Sequence, residues 1–415
     1  MDEKHDFKFI QETADRYVGL PYINYAVKLI EQTKLYNNVF RININWCRWT
    51  SLSDQIKTFK TQIKKQDRTC FVLQYDEPAC FLPESKIGLE VIELVQALRD
   101  NNLFGCDFLI LNFYENSTLA HINFLNKNFY GWHFASIDCQ APELFQWSTP
   151  ESEEDAFTTN DNLNLETCKY NISHLNFTQR THRELFSKFL IKENLVKNNL
   201  IAINEVTEIV DDTMYRYQGP DTKHWINRFK KEIGPTRKSF NNFESWFLNP
   251  KLLAIMRDVK LEYSKHPDIN HKYDHINLDF LSKAVLNITS ETVFYYPYVE
   301  LSEKIVQPII AKRPFVLIGP AHSLKYLRSK GFKTFGKIID ESYDELDDPN
   351  ERMESIMNIV TKFNENSVNQ NKELLLAIKD DLIHNQVLMV KQIKNLQKNI
   401  GKGIIQYVNN RKNFN

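Results

Sequence analysis

Short apolar runs, separated by stretches with apolar residues at helical spacing, constrain this chain more than any other feature. CFVLQY (Cys70–Tyr75), DFLILN (Asp107–Asn112) and WHFASI (Trp132–Ile137) have the length of buried strands and not of helices. Between the first two, IGLEVIELVQALR (Ile87–Arg99) repeats its apolar residues every three or four positions, as a helix with one buried face does. Strand, helix, strand is most simply a β-α-β crossover, so the region to about residue 150 is expected to be a Rossmann-like domain of α/β layers.

The same alternation returns after an interruption. Ser148–Glu166, STPESEEDAFTTNDNLNLE, is acidic, polar and too poor in large apolar groups to build a core of its own, which marks an expected linker. Beyond it, YNISHLN (Tyr170–Asn176) has strand character and Thr181–Leu195 is an amphipathic helix opening on a basic turn. Ile203–Trp225 mixes a short extended run with a loop. Ala284–Ile288 and PFVLIG (Pro314–Gly319) are further strands, and helices are expected over Ser302–Ala311 and Ser323–Lys330, the second closed by Gly331 as its C′ residue. From Pro349 the pattern turns helical, over Glu351–Phe363 and Gln370–Leu396, and the closing RKNFN is polar enough to fray. At roughly 100–200 residues per domain, 415 residues fit two. The expected division is an acceptor-side Rossmann-like domain over 1–150, a linker over 151–167, a ligand-binding domain over 168–348 and a helical C-terminal extension over 349–415.

Charge and composition narrow the function classes. Lys plus Arg, 52, against Asp plus Glu, 53, leaves no net positive field to hold a polyanion, which disfavours non-specific nucleic-acid binding without excluding a local basic cleft. Six scattered cysteines without a CxxC pair fit reduced thiols, and MDEKHDFKFIQET lacks the apolar core of a signal segment. No apolar run approaches the roughly 18 residues of a membrane span, so a cytoplasmic location is expected, the host cytoplasm if the chain is viral. His266, His271 and His275 do not have zinc-ligand spacing, and neither a Walker-type loop nor GxGxxG occurs, so no metal site is expected.

Two basic elements stand at strand ends, where open α/β sheets bind ligands. In Leu301-Ser302-Glu303-Lys304, Ser302 can cap a helix and donate to a phosphate, Lys304 supplies a cation, and Glu303 can accept from ribose hydroxyls. An arbitrary Ser-Glu-Lys is most often a plain helix cap with surface charge, but here Glu291 ends the preceding strand and Pro308–Pro320 returns the chain to the same edge. In NFTQRTHR (Asn176–Arg183), Arg180 opens a helix directly after a strand, a place from which a guanidinium pairs with phosphate oxygens, whereas Arg183 has equal claim to a packing role. In Phe294-Tyr295-Tyr296-Pro297-Tyr298 a ring or two could stack on a base, although loop core is the commoner use of such a cluster.

The run SETVFYYPYVELSEKIVQPIIAKRPFVLIGPAHSLKYLRSKGFKTFGKIIDESYDELDDPNER resembles the donor-binding segment of GT-B glycosyltransferases similar to the α-1,3-fucosyltransferases. It is more similar still to a related bacterial and phage group, whose pattern includes the continuation GFKTFGKIIDESYD and the later His384-Asn385. Thr289-Ser290-Glu291 stands where fucosyltransferases have an aromatic-Glu-Asn element, and Ser302-Glu303-Lys304 where they have Thr-Glu-Lys. The resemblance implies two Rossmann-like domains facing a cleft and a metal-independent, inverting transfer of a sugar from a nucleotide-diphosphate donor. Glu291 and Glu303 would contact the ribose or sugar, and Ser302 and Lys304, with Arg180, the diphosphate. Thr292 in place of Asn leaves the sugar unassigned. The nucleotide sugar, a GDP-sugar among the candidates, is then a co-substrate and not a bound cofactor, and the acceptor is open. A catalytic base is expected from a carboxylate of the first domain. Glu115, directly after Phe108–Leu111, is the first choice and Glu77 the second, each also a natural cap or surface group. Two other function classes share this sequence pattern: a binder of glycans, nucleotides or viral structural partners that does not turn over, and a viral DNA-base glycosyltransferase.

Overall fold

The computed structural model describes residues 21–44, 62–63, 68–75, 92–93, 95–96, 98–100, 106–112, 122–123, 125–128, 133–138, 163–176, 180–203, 249–261, 278–297, 299 and 301–413. The fold is mixed α/β with two four-stranded sheets, and every described strand pairing is parallel. The chain divides into two compact units, Met1–Trp147 together with Lys394–Asn415, and Ser148–Ile393. The helical chain after Pro349 is thus shared between the units at residue 394.

In the first unit, helix α1 (Pro21–Gln32) precedes strands β1 (Asn38–Ile44), β2 (Thr69–Tyr75), β3 (Asp107–Asn112) and β4 (His133–Asp138), which lie side by side in that order. Phe40, Phe71 and Phe108 fall in register on neighbouring strands and their rings stack at 5.7 and 5.1 Å between centroids. Cys70, Phe71 and Val72 are buried in succession, as are Phe108, Leu109 and Ile110, so both faces of these strands are covered. That double burial is why the strands appear in the sequence as unbroken apolar runs. The described residues of the intervening stretch, 92–93, 95–96 and 98–100, are helical, as the spacing predicts.

The second unit holds β5 (Tyr170–Asn176), α2 (Thr181–Lys192), β6 (Leu200–Ile203), α3 (Pro250–Asp258), α4 (Leu278–Ser282), β7 (Ala284–Ser290), α5 (Glu303–Ile310), β8 (Phe315–Ile318) and α6 (Ser323–Ser329). After a single turn at Ser342–Glu345 come α7 (Pro349–Glu365), α8 (Val368–Ala377) and α9 (Lys379–Asn413). The sheet order is β6-β5-β7-β8. From β5 the chain steps outward to β6 on one side, then returns to build β7 and β8 on the other. That direction reverses at the carboxyl ends of β5 and β7, the place where doubly wound sheets bind ligands. At the opposite end of the sheet the buried Arg313 donates to the carbonyls of Ala284 (3.1 Å), Ser282 (2.9 Å) and Asn164 (2.8 Å), fastening the chain that enters this unit to the base of β7.

Two expectations about the C-terminal helices need correcting. The helix expected over Gln370–Leu396 is two, broken at the buried Ile378. Of the terminal RKNFN, Arg411–Asn413 do not fray, and Phe414 and Asn415 lie outside the described residues: α9 continues through Asn413 because its last turns are anchored in the first unit. Ile400, Ile404, Tyr407 and Val408 are buried, and Arg411 reaches Asp107 at the start of β3. Arg411 holds that carboxylate with Nε at 3.0 Å and an Nη at 2.7 Å, a bidentate pair. The Tyr36 hydroxyl donates to the same carboxylate and lies 2.9 Å from the Tyr407 hydroxyl. Asp107 is 1% exposed, so removing Arg411 leaves a buried charge with only the Tyr36 hydroxyl and the more distant Arg68, at 4.0 Å, to compensate it. Arg411→Ala is expected to lower stability by about 3 kcal/mol, read from urea unfolding midpoints, with Arg411→Lys recovering only part because it cannot bond bidentately.

Candidate functional site

The end of β7 is held from two directions. Glu291 follows the strand and its N–H donates to the Ile318 carbonyl (2.9 Å), keeping it beside β8. Its carbonyl points toward the start of α2, where it accepts from Arg183 Nε (3.2 Å), an Arg183 Nη (2.8 Å) and His182 Nε2 (3.0 Å). The same Nη also donates to the Ser290 carbonyl at 3.2 Å. His182 and Arg183 are buried, and their positions on the first turn of α2 follow from the extended backbone of Arg180, the residue that starts the helix. Helix start and strand end are thereby joined.

The Glu291 side chain turns the other way. One carboxylate oxygen accepts from the Ser302 N–H (3.1 Å) and from the Ser302 hydroxyl, closing the neck of the loop Thr292–Leu301. Ser302 caps α5, and its hydroxyl oxygen accepts from the N–H (3.4 Å) and the ammonium (3.2 Å) of Lys304. The Lys304 ammonium also donates to the Thr292 hydroxyl at 3.4 Å. Glu291 is 0% exposed and Lys304 half-buried, so a fully enclosed carboxylate orders a cation that still meets solvent. Gly319, at the end of β8, passes close by: a Cβ there would lie 3.5 Å from Glu291 Cγ.

In the aromatic loop the rings of Phe294, Tyr295 and Tyr296 are core, and Tyr298 lies outside the described residues. Val293, Phe294, Tyr295 and Tyr296 are buried, and the His182 ring stacks on Phe294 at 5.6 Å. The Arg352 guanidinium lies 4.6 Å from the centre of the same ring and donates to the carbonyls of Phe294 (2.9 Å), Gly319 (3.2 Å) and Leu346 (2.6 Å). Burial brings its pKa down to about 10, which leaves it cationic near neutrality, committed to holding three chain segments together. After β8, the start of α6 is also occupied internally: Asp344 accepts from the N–H groups of Leu324 (2.8 Å) and Lys325 (2.9 Å). Two N–H groups at the start of α6 are thus taken by the Asp344 carboxylate, whereas the starts of α2 and α5 carry Arg180 and Lys304.

Among the sequence candidates, the structure joins Glu291, Ser302 and Lys304 by direct hydrogen bonds. Arg180 is buried at the start of α2, three residues before the guanidinium that grips Glu291. Glu303 opens α5, and its side chain lies outside the described residues, as do Glu77, Glu115 and the three histidines between Lys265 and His275. Asp348 caps α7 as its position before Pro349 predicts, accepting from the N–H groups of Asn350 (2.7 Å) and Glu351 (3.2 Å). Thr292 and Arg352 have no local signature in the sequence, because each acts through partners distant in the chain. Among the described residues no group of three or more His, Cys, Asp or Glu is placed to hold a metal ion, and no helix is long and apolar enough to cross a membrane. Compared with protein-family models and with curated proteins, the chain matches none.

On β5, His174 donates from Nδ1 to the Ile288 carbonyl at 3.0 Å and packs edge-on against Phe186 at 5.3 Å. Burial pushes its pKa down to about 4, against the pull of that carbonyl and helped by the charge of Arg183. The folded state thus binds fewer protons than the unfolded one between the ordinary value of 6.5 and about 4. The stabilisation is complete above that window and is lost as pH falls through it, by up to about 3 kcal/mol. Urea midpoints taken on both sides of the window should show this slope, and His174→Asn should flatten it.

Proposed function

We propose that this protein is a metal-independent glycosyltransferase of the GT-B class, and that its second unit binds the diphosphate of a nucleotide-sugar donor. What supports the reading most is one observation: Lys304 is fixed by the Ser302 and Thr292 hydroxyls at the edge where the strand order reverses. An ammonium and a helix start at the carboxyl ends of parallel strands suit an anionic ligand. Arg180, on the neighbouring helix start, adds a second cation. Glu303 is assigned to the ribose hydroxyls, while Glu291, wholly enclosed, is assigned to holding Ser302 instead of touching the sugar.

In the proposed reaction the acceptor hydroxyl attacks the anomeric carbon, the bond from that carbon to the diphosphate oxygen breaks, and the nucleoside diphosphate leaves with the electron pair. Lys304, Ser302 and Arg180 stabilise the charge gained by the leaving group. The acceptor proton passes to a carboxylate, for which Glu115 and then Glu77 are the candidates. Cytoplasmic action on a glycan, protein or other acceptor completes the proposal.

A thermal-shift screen against GDP-, UDP-, dTDP- and CMP-sugars, followed by measurement of released nucleotide, tests both binding and turnover. One donor class should raise the melting temperature and be consumed. Lys304→Ala removes a charge-assisted hydrogen bond of about 2 kcal/mol and should weaken donor binding about thirtyfold. Stabilisation without nucleotide release would indicate a binding protein of the same fold, and an unchanged Lys304→Ala variant would sink the site assignment.

A further inference from the structure

We infer that Arg183 and His182 are positioning residues for the Lys304 ammonium, acting through the Glu291 peptide and carboxylate without touching the ligand. The inference rests on the diphosphate reading of the site and adds which groups set its geometry. Arg180 and Arg183 flank the same helix start and are chemically interchangeable as phosphate ligands, so the distinction between them has to come from contacts.

Arg183 spends its Nε and one Nη on the carbonyls of Ser290 and Glu291 at 2.8–3.2 Å, and it is 4% exposed. His182, stacked on Phe294, adds a fourth bond to the same two-residue stretch. A trans peptide carries its carbonyl and the following N–H on opposite sides. Holding the Glu291 carbonyl against α2 therefore fixes the peptide plane that leads into Thr292, and the Thr292 hydroxyl receives the Lys304 ammonium. The same anchoring fixes Glu291 Cα, from which the carboxylate reaches Ser302 and, through the Ser302 hydroxyl, Lys304 again. Both hydroxyls that hold the ammonium are thus referenced to one peptide unit, and that unit is referenced to α2. A single cation set by two routes from one anchor has little freedom to swing, which favours a ligand whose oxygens arrive in a fixed place.

The test is a double-mutant cycle read by calorimetric titration with inorganic pyrophosphate, GDP and UDP. Arg183→Gln should raise the Kd of the bound probe about tenfold and Arg183→Lys by less, since a lysine can still reach one carbonyl. In the Lys304→Ala background Arg183→Gln should cause no further loss, because its effect is exerted through that ammonium. Additive losses would make Arg183 a direct phosphate ligand and overturn the inference. If Arg183→Gln does not fold, His182→Gln, which removes one of the four bonds, enters the same cycle. Lysine acylation followed by mass spectrometry gives a readout that needs no ligand: Arg183→Gln or His182→Gln should speed labelling of Lys304 relative to the exposed Lys325. Equal labelling overturns the positioning role. Failure of the wild-type protein to bind any of the three probes, with labelling changed as expected, would leave the linkage standing and remove the diphosphate reading.

Discussion

A carboxylate withdrawn from water needs donors aimed at it, and the way Glu291 meets that requirement organises the second unit. The amide and hydroxyl of Ser302, which both donate to it, come from the far end of a loop, so satisfying the carboxylate closes the loop and starts a helix in one step. With the loop closed, Phe294, Tyr295 and Tyr296 turn inward. Once inward, they need a partner for the Phe294 carbonyl and ring, which Arg352 supplies while also binding Gly319 at the end of β8. Loop, helix start and neighbouring strand are therefore mutually dependent, and a change at any one is felt at the others.

The backbone on the other side of Glu291 answers a different requirement. Carbonyls at the end of a parallel strand lose their ladder partners, and those of Ser290 and Glu291 are buried where water cannot replace them. Arg183 serves both with a rigid planar fork that a lysine could not reproduce. The basic character of the α2 start is thus partly structural. Counting arginines at a strand end would overstate the charge offered to a ligand.

How much of this was visible in the sequence depends on the range over which each residue acts. Strands β2, β3, β5, β7 and β8 declared themselves because parallel strands covered on both faces are short and continuously apolar. Strand β6, only Leu200–Ile203, was too brief to separate from the extended run expected from Ile203 onward. Ser302 could be recognised as a cap from its neighbours, since capping acts over three residues. The partnership of Glu291 with Ser302 spans 11 residues of loop, and that of Arg183 with Glu291 spans 108, so neither has a local signature. Lys304 was legible as a cation but not as one held by Thr292, because the hydroxyl meets the ammonium only after the loop has closed.

The last turns of α9 carry a consequence for how the protein is made. Asp107, Tyr36 and the sheet they belong to leave the ribosome early, yet Tyr407 and Arg411 are added roughly 300 residues later, about 15–60 s at ordinary synthesis rates. Throughout that interval the nascent first unit holds a carboxylate whose bidentate partner does not yet exist. The second unit, continuous in sequence, has everything it needs before then. Order of synthesis and order of completion are therefore reversed: the half that emerges first is finished last.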